Sequence, residues 1–362
     1  MATEVKEIEV PAIKELYTKF TARKVVFILG SLGALVALSL YATTLGSARL
    51  GIGEVSSAVF ARIFPFAGIE TTSFADVVVW HLRLPRIVMG IVAGAGLAVS
   101  GAAMQGIMRN PLVSPFTIGV SSGAALGASL AIVLGFNLVG GEKAIVVTNA
   151  FVFGLLTAFL VYGLARMRGV TGETLILAGI AIMYLASAAT SLLQYIATEE
   201  ELQAVVYWLF GSLTGASWGN ILIVTVMLFS CLPLLMRYSW DLNVMASGGD
   251  EVATSLGVNV PRVRVVTLIL ATLITAGIIC FTGIIGFVCL VAPHITRLLI
   301  GADHRFLMPC SCILGAILLV GADTIGRTVF SPVVIPVGIV LSFIGVPFFI
   351  FLLMTRRKEY FS

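Results

Sequence analysis

Residues 81–128 read HLRLPRIVMGIVAGAGLAVSGAAMQGIMRNPLVSPFTIGVSSGAALGA, and their reading decides the fold. Two arginines, Arg83 and Arg86, flank Pro85 at the start, and Arg109-Asn110-Pro111 interrupts the apolar run that follows. Between these breaks, residues 87–108 carry no formal charge, and Gln105 is the one strongly polar side chain. At about 1.5 Å per residue this run makes roughly 33 Å of helix, enough for a bilayer core of ~30 Å. Gly90, Gly94, Gly96 and Gly101, with alanines between them, leave a helix surface that other backbones can approach closely. Close approach is how helices associate in lipid, where burial of apolar surface supplies no drive. The stretch is therefore expected to be a transmembrane helix surrounded by protein.

The rest of the chain agrees in character. Charged residues make up 11% of it, against ~25% for soluble domains, and the mean hydropathy is +1.08, which excludes an ordinary soluble enzyme. The net charge of +4 does not point to nucleic acid, because the basic residues lie between apolar runs. Cys231, Cys280, Cys289, Cys310 and Cys312 sit in or beside such runs, form no C-x-x-C, and read as small buried hydrophobes. The first 24 residues mix both charges, contain Pro11 and lead to no A-x-A site, so no cleavable signal is expected.

Ten spans are expected, at about 25–45, 87–108, 116–136, 144–166, 174–196, 218–236, 265–290, 291–300, 307–326 and 333–354. The eighth is short and broken by Pro293 and His294. This gives an amphipathic tail over 1–24, a single membrane domain over 25–354 with a polar connector at 237–264, and a second tail over 355–362. With the N-terminus inside, sixteen of the 22 lysines and arginines fall on the inner side. That bias is what orientation in a cytoplasmic membrane requires, with both termini cytoplasmic. Spans two to five and seven to ten then form two units of inverted topology. Each opens with a small-residue-rich helix ended by a proline break, at Asn110-Pro111 and at Pro293-His294.

Several separate blocks carry a resemblance. They are Leu82–Arg86, the run GAGLAVSGAAMQ, Arg109–Leu112, Gly119–Ala124, TGIIGFV at 282–288, Pro293-His294, Asp303-His304-Arg305, Ala322-Asp323, Pro336–Ile339 and Gly345–Phe348. Over about 80–362 the chain resembles the FecCD-type permeases of ATP-binding-cassette importers, which take up iron–siderophores, haem, cobalamin and in some cases molybdate. The resemblance implies an all-α, cobalamin-permease-like membrane protein that is not itself an enzyme and needs no cofactor. Its implied partners are a second copy of the chain, two cytoplasmic ATP-binding subunits, one extracytoplasmic substrate-binding protein and the lipid bilayer.

Residue by residue, the resemblance places coupling to the ATPase at Ser247, Gly248, Asp250, Glu251, Ala253, Leu256 and Gly257. The residues alone support a short helix there. Gly248-Gly249 suits a sharp turn, Asp250 and Glu251 suit a helix start, and Leu256-Gly257 suits a helix end. A cytoplasmic gate is implied at Asn110, Pro111 and Leu112, although Asn-Pro also stops a helix unaided. A second gate element is implied at Gly172 and Glu173, where cobalamin permeases carry small hydroxyl residues. Arg83 and Arg86 either anchor the end of span two by snorkelling or, with Arg327, pair with carboxylates of the docked binding protein. Asp323, four residues before Arg327, competes for it as an internal partner. His81, His294 and His304 are too scattered to nominate a metal site.

The alternative is a carrier driven by an ion gradient, which also favours inverted repeats but buries carboxylates for the driving ion. Asp323 is the one acid inside an expected span. None of the six lysines follows a glycine, so a G-x-x-x-x-G-K-[ST] loop is absent and ATP hydrolysis must come from another subunit. Together with the resemblance, this favours the permease.

Overall fold

The computed structural model of the chain describes residues 10–46, 50–67, 70–138 and 144–355, and these are almost wholly helical. In chain order the helices are α1 (Val10–Thr44), α2 (Ile52–Ile63) and α3 (Ser73–Val77), which passes through a π turn (Val78–Arg83) into α4 (Leu84–Met108). Then come α5 (Val120–Leu134), α6 (Ile145–Arg166), α7 (Gly172–Ile196), α8 (Glu199–Leu209) and α9 (Trp218–Arg237). The last five are α10 (Ser239–Ser255), α11 (Val260–Thr282), α12 (Val288–Ile300), α13 (His304–Thr328) and α14 (Val337–Thr355). Seven of these stretches are long and apolar enough to cross a membrane, and α5, α12 and α14 add three shorter apolar helices. The ten expected spans therefore each find a helix.

Helix α4 is the centre of the bundle. Of the most apolar part of its span 78% is buried, against 17% for α1 at the periphery. It packs on α13, α11, α12 and α9. Small residues make this possible: a Cβ on Gly94 would collide with the Gly315 carbonyl of α13, and one on Gly315 with the Gly94 carbonyl. Similarly, a Cβ on Gly101 would collide with the Cys289 carbonyl of α12. Pro293 supplies no N–H to that carbonyl, so the close approach of Gly101 covers a backbone group that the helix leaves without its usual partner.

The start of span two differs from expectation. Helix continues backward from residue 87 to Ser73, because Thr72 caps α3 by accepting the Ala75 N–H (3.3 Å) and the π turn absorbs Pro85. Within that turn the Leu84 N–H reaches back to the Val79 carbonyl. Pro85 would be next in the same register and has no N–H, so the Trp80 carbonyl accepts the Trp218 indole N–H instead (2.9 Å). The N-terminal boundary differs too: residues 10–24 continue the α1 helix, while 1–9 and the tail at 356–362 lie outside the described residues.

Inverted topology is visible in the packing. The first turn of α11 lies against the last turn of α4, so the two lead helices run in opposite directions. The lead helix of each unit packs on the third helix of the other, α4 on α13 and α11 on α6. In each unit the second helix is short and follows an irregular stretch, 109–119 before α5 and 283–287 before α12. The second break is thus not at Pro293-His294, as expected, since both residues lie inside α12. The chain leaves helix where Gly283 (φ 68°) and Phe287 (φ 66°) take left-handed conformations, whereas Pro293 removes only one hydrogen bond.

Replacing Gly94 with Leu should lower the stability of the detergent-solubilised protein by at least the ~1–3 kcal/mol typical of overpacking, because the obstacle is backbone. Gly163→Leu, where nothing lies within 4 Å, should be tolerated. Thermal unfolding of both variants checks the pair.

Candidate gating and coupling site

The last turn of α4 ends on Arg109, whose left-handed backbone (φ 51°) turns the chain out of helix. Its N–H bonds back to Gln105 and Gly106, and the Asn110 N–H also reaches the Gln105 carbonyl (3.2 Å). The Asn110 side chain accepts the Leu112 N–H (2.9 Å), an Asx turn that fixes the Asn-Pro-Leu corner. Val113, Ser114 and Ile118 then bury inside the bundle, and Leu112 alone of this corner is widely exposed, at 59%. Irregular backbone at this depth is tolerated because protein surrounds it.

Gly172, the first residue of α7, abuts this corner. A Cβ there would sit 3.1 Å from the Met108 carbonyl. Thr171 caps α7 reciprocally with Thr174, and Glu173 lies exposed in the first turn, where a carboxylate suits the helix dipole. The two gate segments expected from the sequence, Asn110–Leu112 and Gly172-Glu173, are therefore neighbours.

The 237–264 connector is mostly helix. α10 bends at Gly249, whose backbone (φ 77°, ψ −177°) is a conformation essentially restricted to glycine. The segment after the bend ends as the residues suggested. The Val258 N–H bonds the Ala253 carbonyl (2.9 Å) and the Gly257 N–H bonds the Thr254 carbonyl (3.0 Å), a Schellman closure with Gly257 left-handed. Ala253 is fully buried, while Ser247, Glu251 and Leu256 face outward, Leu256 at 68% exposure.

Two contacts join this helix to residues that flank Asn110–Leu112 and Gly172-Glu173. The Arg109 guanidinium lies 3.0 Å from where a Gly249 Cβ would be. Arg264, in the first turns of α11, is buried and reaches three ways. Its Nε donates to the Ile107 carbonyl (3.1 Å), Nη1 to the Val170 carbonyl (3.0 Å) and Nη2 to Asp250 Oδ1 (2.8 Å). A second polar node lies at the same end of the bundle. Asn243 of α10 donates to Asp303 (2.8 Å) and accepts the His304 backbone N–H (2.8 Å). Burial alone would raise the Asp303 carboxyl, but hydrogen bonds from Arg305 and Asn243 overcome this and hold it down at about 2. Arg297 of α12 donates to Gln105 of α4 (2.8 Å).

Arg83, Arg86 and Arg327, expected either to anchor a helix end or to pair with carboxylates of a docked binding protein, are at the other end. All three are buried. Arg86 and Arg327 share Asp323, with Arg86 Nε at 2.8 and 3.0 Å from its two oxygens and Arg327 Nε at 3.0 Å from Oδ2. Arg83 Nη1 donates to the Thr43 carbonyl (2.7 Å), and Arg327 reaches the Ala42 and Leu45 carbonyls. These carbonyls end α1, where the helix has no N–H left to offer and where positive charge is favoured. The cluster thus ties α1, α4 and α13 together.

Sequence reasoning did not find Arg264 or the pairing of Asn243 with Asp303 and His304. A basic residue at the start of an apolar span looks like an interface anchor, and nothing in its spacing shows that it turns inward. Among the described residues, no three His, Cys, Asp or Glu side chains are grouped to hold a metal.

Comparison with known proteins places the whole arrangement. A model described as the FecCD transport family matches residues 34–355. The cobalamin import system permease protein of Halobacterium salinarum is 42% identical over 285 residues, 78% of this chain and 75% of that one. The hemin transport system permease protein of Yersinia pestis is 37% identical, over 91% of this chain and 96% of that one. Among solved structures, an inward-facing transporter assigned to the metal-chelate type of ABC transporters superimposes with a TM-score of 0.79. It is 34% identical and covers 91% of this chain and 99% of its own.

Asp323→Asn would leave the two guanidiniums without their anion, and removing one partner of a buried pair costs about 3–5 kcal/mol. Glu173→Gln, on an exposed turn, should change stability by less than ~0.5 kcal/mol. Chemical or thermal unfolding in detergent compares the two. Equal stability would mean that the carbonyls of Ala42 and Leu45 suffice to hold Arg327 and Thr214 to hold Arg86.

Proposed function

The chain belongs to the FecCD transport family, and from that membership we propose that it carries a metal chelate inward as the permease of an ATP-binding-cassette importer. The cargo is an iron chelate of the siderophore type or a related chelate such as cobalamin or haem. Support comes from the relatives, which are permeases for cobalamin and hemin, and from the fold shared with a transporter assigned to the metal-chelate type. The observation that carries the mechanism is that two gate segments and an outward-facing helix meet at one end of the bundle.

In this reading that end is cytoplasmic and two ATP-binding subunits dock there, one on the 250–257 helix of each copy of the chain. Leu256, Glu251 and Ser247 face them, and Ala253 and Asp250 face the bundle. Asn110, Pro111, Leu112, Gly172 and Glu173 form the inner gate. A second copy of the chain completes the pathway. An apolar cleft of about 620 Å³, bounded by Phe210, Ile284, Ile339 and Phe343, is the face we assign to it. A substrate-binding protein delivers cargo at the opposite end, where the buried arginines act indirectly by fixing the ends of α1, α4 and α13. The competing ion-driven carrier loses support here, because two arginines already neutralise Asp323.

Leu256→Asp should release the ATP-binding subunits or let them hydrolyse ATP without transport in reconstituted vesicles. Normal transport by this variant would make the 250–257 helix a plain surface element. Orientation is checked with single cysteines at exposed sites, since the native thiols are buried or half-buried. An impermeant thiol reagent added outside should label Phe66→Cys and spare Leu256→Cys. The reverse pattern would invert the topology.

A further inference from the structure

We infer that Arg264 is the positioning residue through which movement of the 250–257 helix reaches both gate segments at once. The inference rests on the reading that this helix receives the ATPase and that residues 110–112 and 172–173 form the gate. What it adds is the connection between them.

The argument begins with donor geometry. A guanidinium offers five N–H groups in a rigid planar fork, so one arginine can fix three acceptors in fixed relation to one another. Arg264 uses Nε, Nη1 and Nη2 on three separate segments. The Ile107 carbonyl belongs to the last turn of α4, three residues before Asn110. The Val170 carbonyl lies two residues before Gly172. Asp250 opens the helix that follows the bend at Gly249. The side chain of Arg264 is 6% exposed, so water competes little for these bonds, whereas Asp250 is 38% exposed and lies on the movable side.

Independently, Arg109 packs over Gly249, so the bend itself meets the residue just before the first gate segment. A push on the helix at Leu256 would therefore be felt at Asp250 and passed by one rigid group to residues 107 and 170. A capping role for Arg264 would need only the Ile107 carbonyl. The bonds to Val170 and Asp250 go beyond it.

The test uses the full transporter, with ATP-binding subunits and binding protein, in vesicles. A nitroxide on Leu112→Cys reports the gate by its spectrum before and after addition of a non-hydrolysable ATP analogue, so no cargo need be known. Arg264→Gln should reduce the fraction of labels that respond on the order of tenfold, the factor that one charged hydrogen bond is worth. ATP-binding subunits should still co-purify. Arg264→Lys keeps the charge without the fork and should respond at an intermediate level. A full response in Arg264→Gln overturns the inference.

If Arg264→Gln fails to assemble, Asp250→Asn decides the matter, since it weakens only the tie to the helix. A reduced response supports the link, and an unchanged one overturns it. Leu256→Asp separates the two levels of argument. A gate that still responds normally in that variant removes the underlying reading of the helix. A silent gate there with a full response in Arg264→Gln removes only the role of Arg264.

Discussion

At Gly94 and Gly315 the backbones of α4 and α13 touch, and neither position has room for a side chain. This contact sets the terms for the rest of the molecule. In lipid, burying apolar surface gives no net advantage, so helices are held by close van der Waals approach and by polar contacts placed where they can be satisfied. A central helix made of glycine and alanine satisfies the first condition on every side. It also leaves α4 with few long side chains of its own, so its polar partners come from neighbouring helices at its two ends.

Those two ends are built differently. At one, a buried carboxylate is shared by Arg86 and Arg327, and Arg83 and Arg327 also close the carbonyls at the end of α1. Breaking such an arrangement leaves charge unpaired in a low-dielectric setting, so this end resists motion. At the other end the helices are joined through bonds to exposed or half-exposed loops and to a bent helix with a glycine hinge. A bundle clamped at one end and hinged at the other suits a permease whose ATPase acts on one side.

The irregular stretches at 109–119 and 283–287 belong to the same logic. Each precedes a short helix and lies at opposite ends of the two inverted units. Protein surrounds the first of them, which is what allows non-helical backbone in the membrane domain. The break that matters in the second unit comes from left-handed residues rather than from proline. Pro293 sits within α12, where the approach of Gly101 covers the carbonyl it leaves free.

The amino-acid sequence by itself determined the class of the protein, the ten apolar segments, the glycine turn before Asp250 and the closure at Gly257. These follow from composition and local backbone preference, which act over a few residues and need no partner. The tertiary structure alone decided what the charged residues do. Arg83, Arg86 and Arg327 look like surface charges by position, yet their acceptors are Asp323, up to 237 residues away, and the carbonyls of α1. Arg264 looks like an interface anchor, yet its acceptors lie 157, 94 and 14 residues distant. A guanidinium reaches in any direction from a helix, so only the packing of the neighbours fixes which carbonyl or carboxylate it meets.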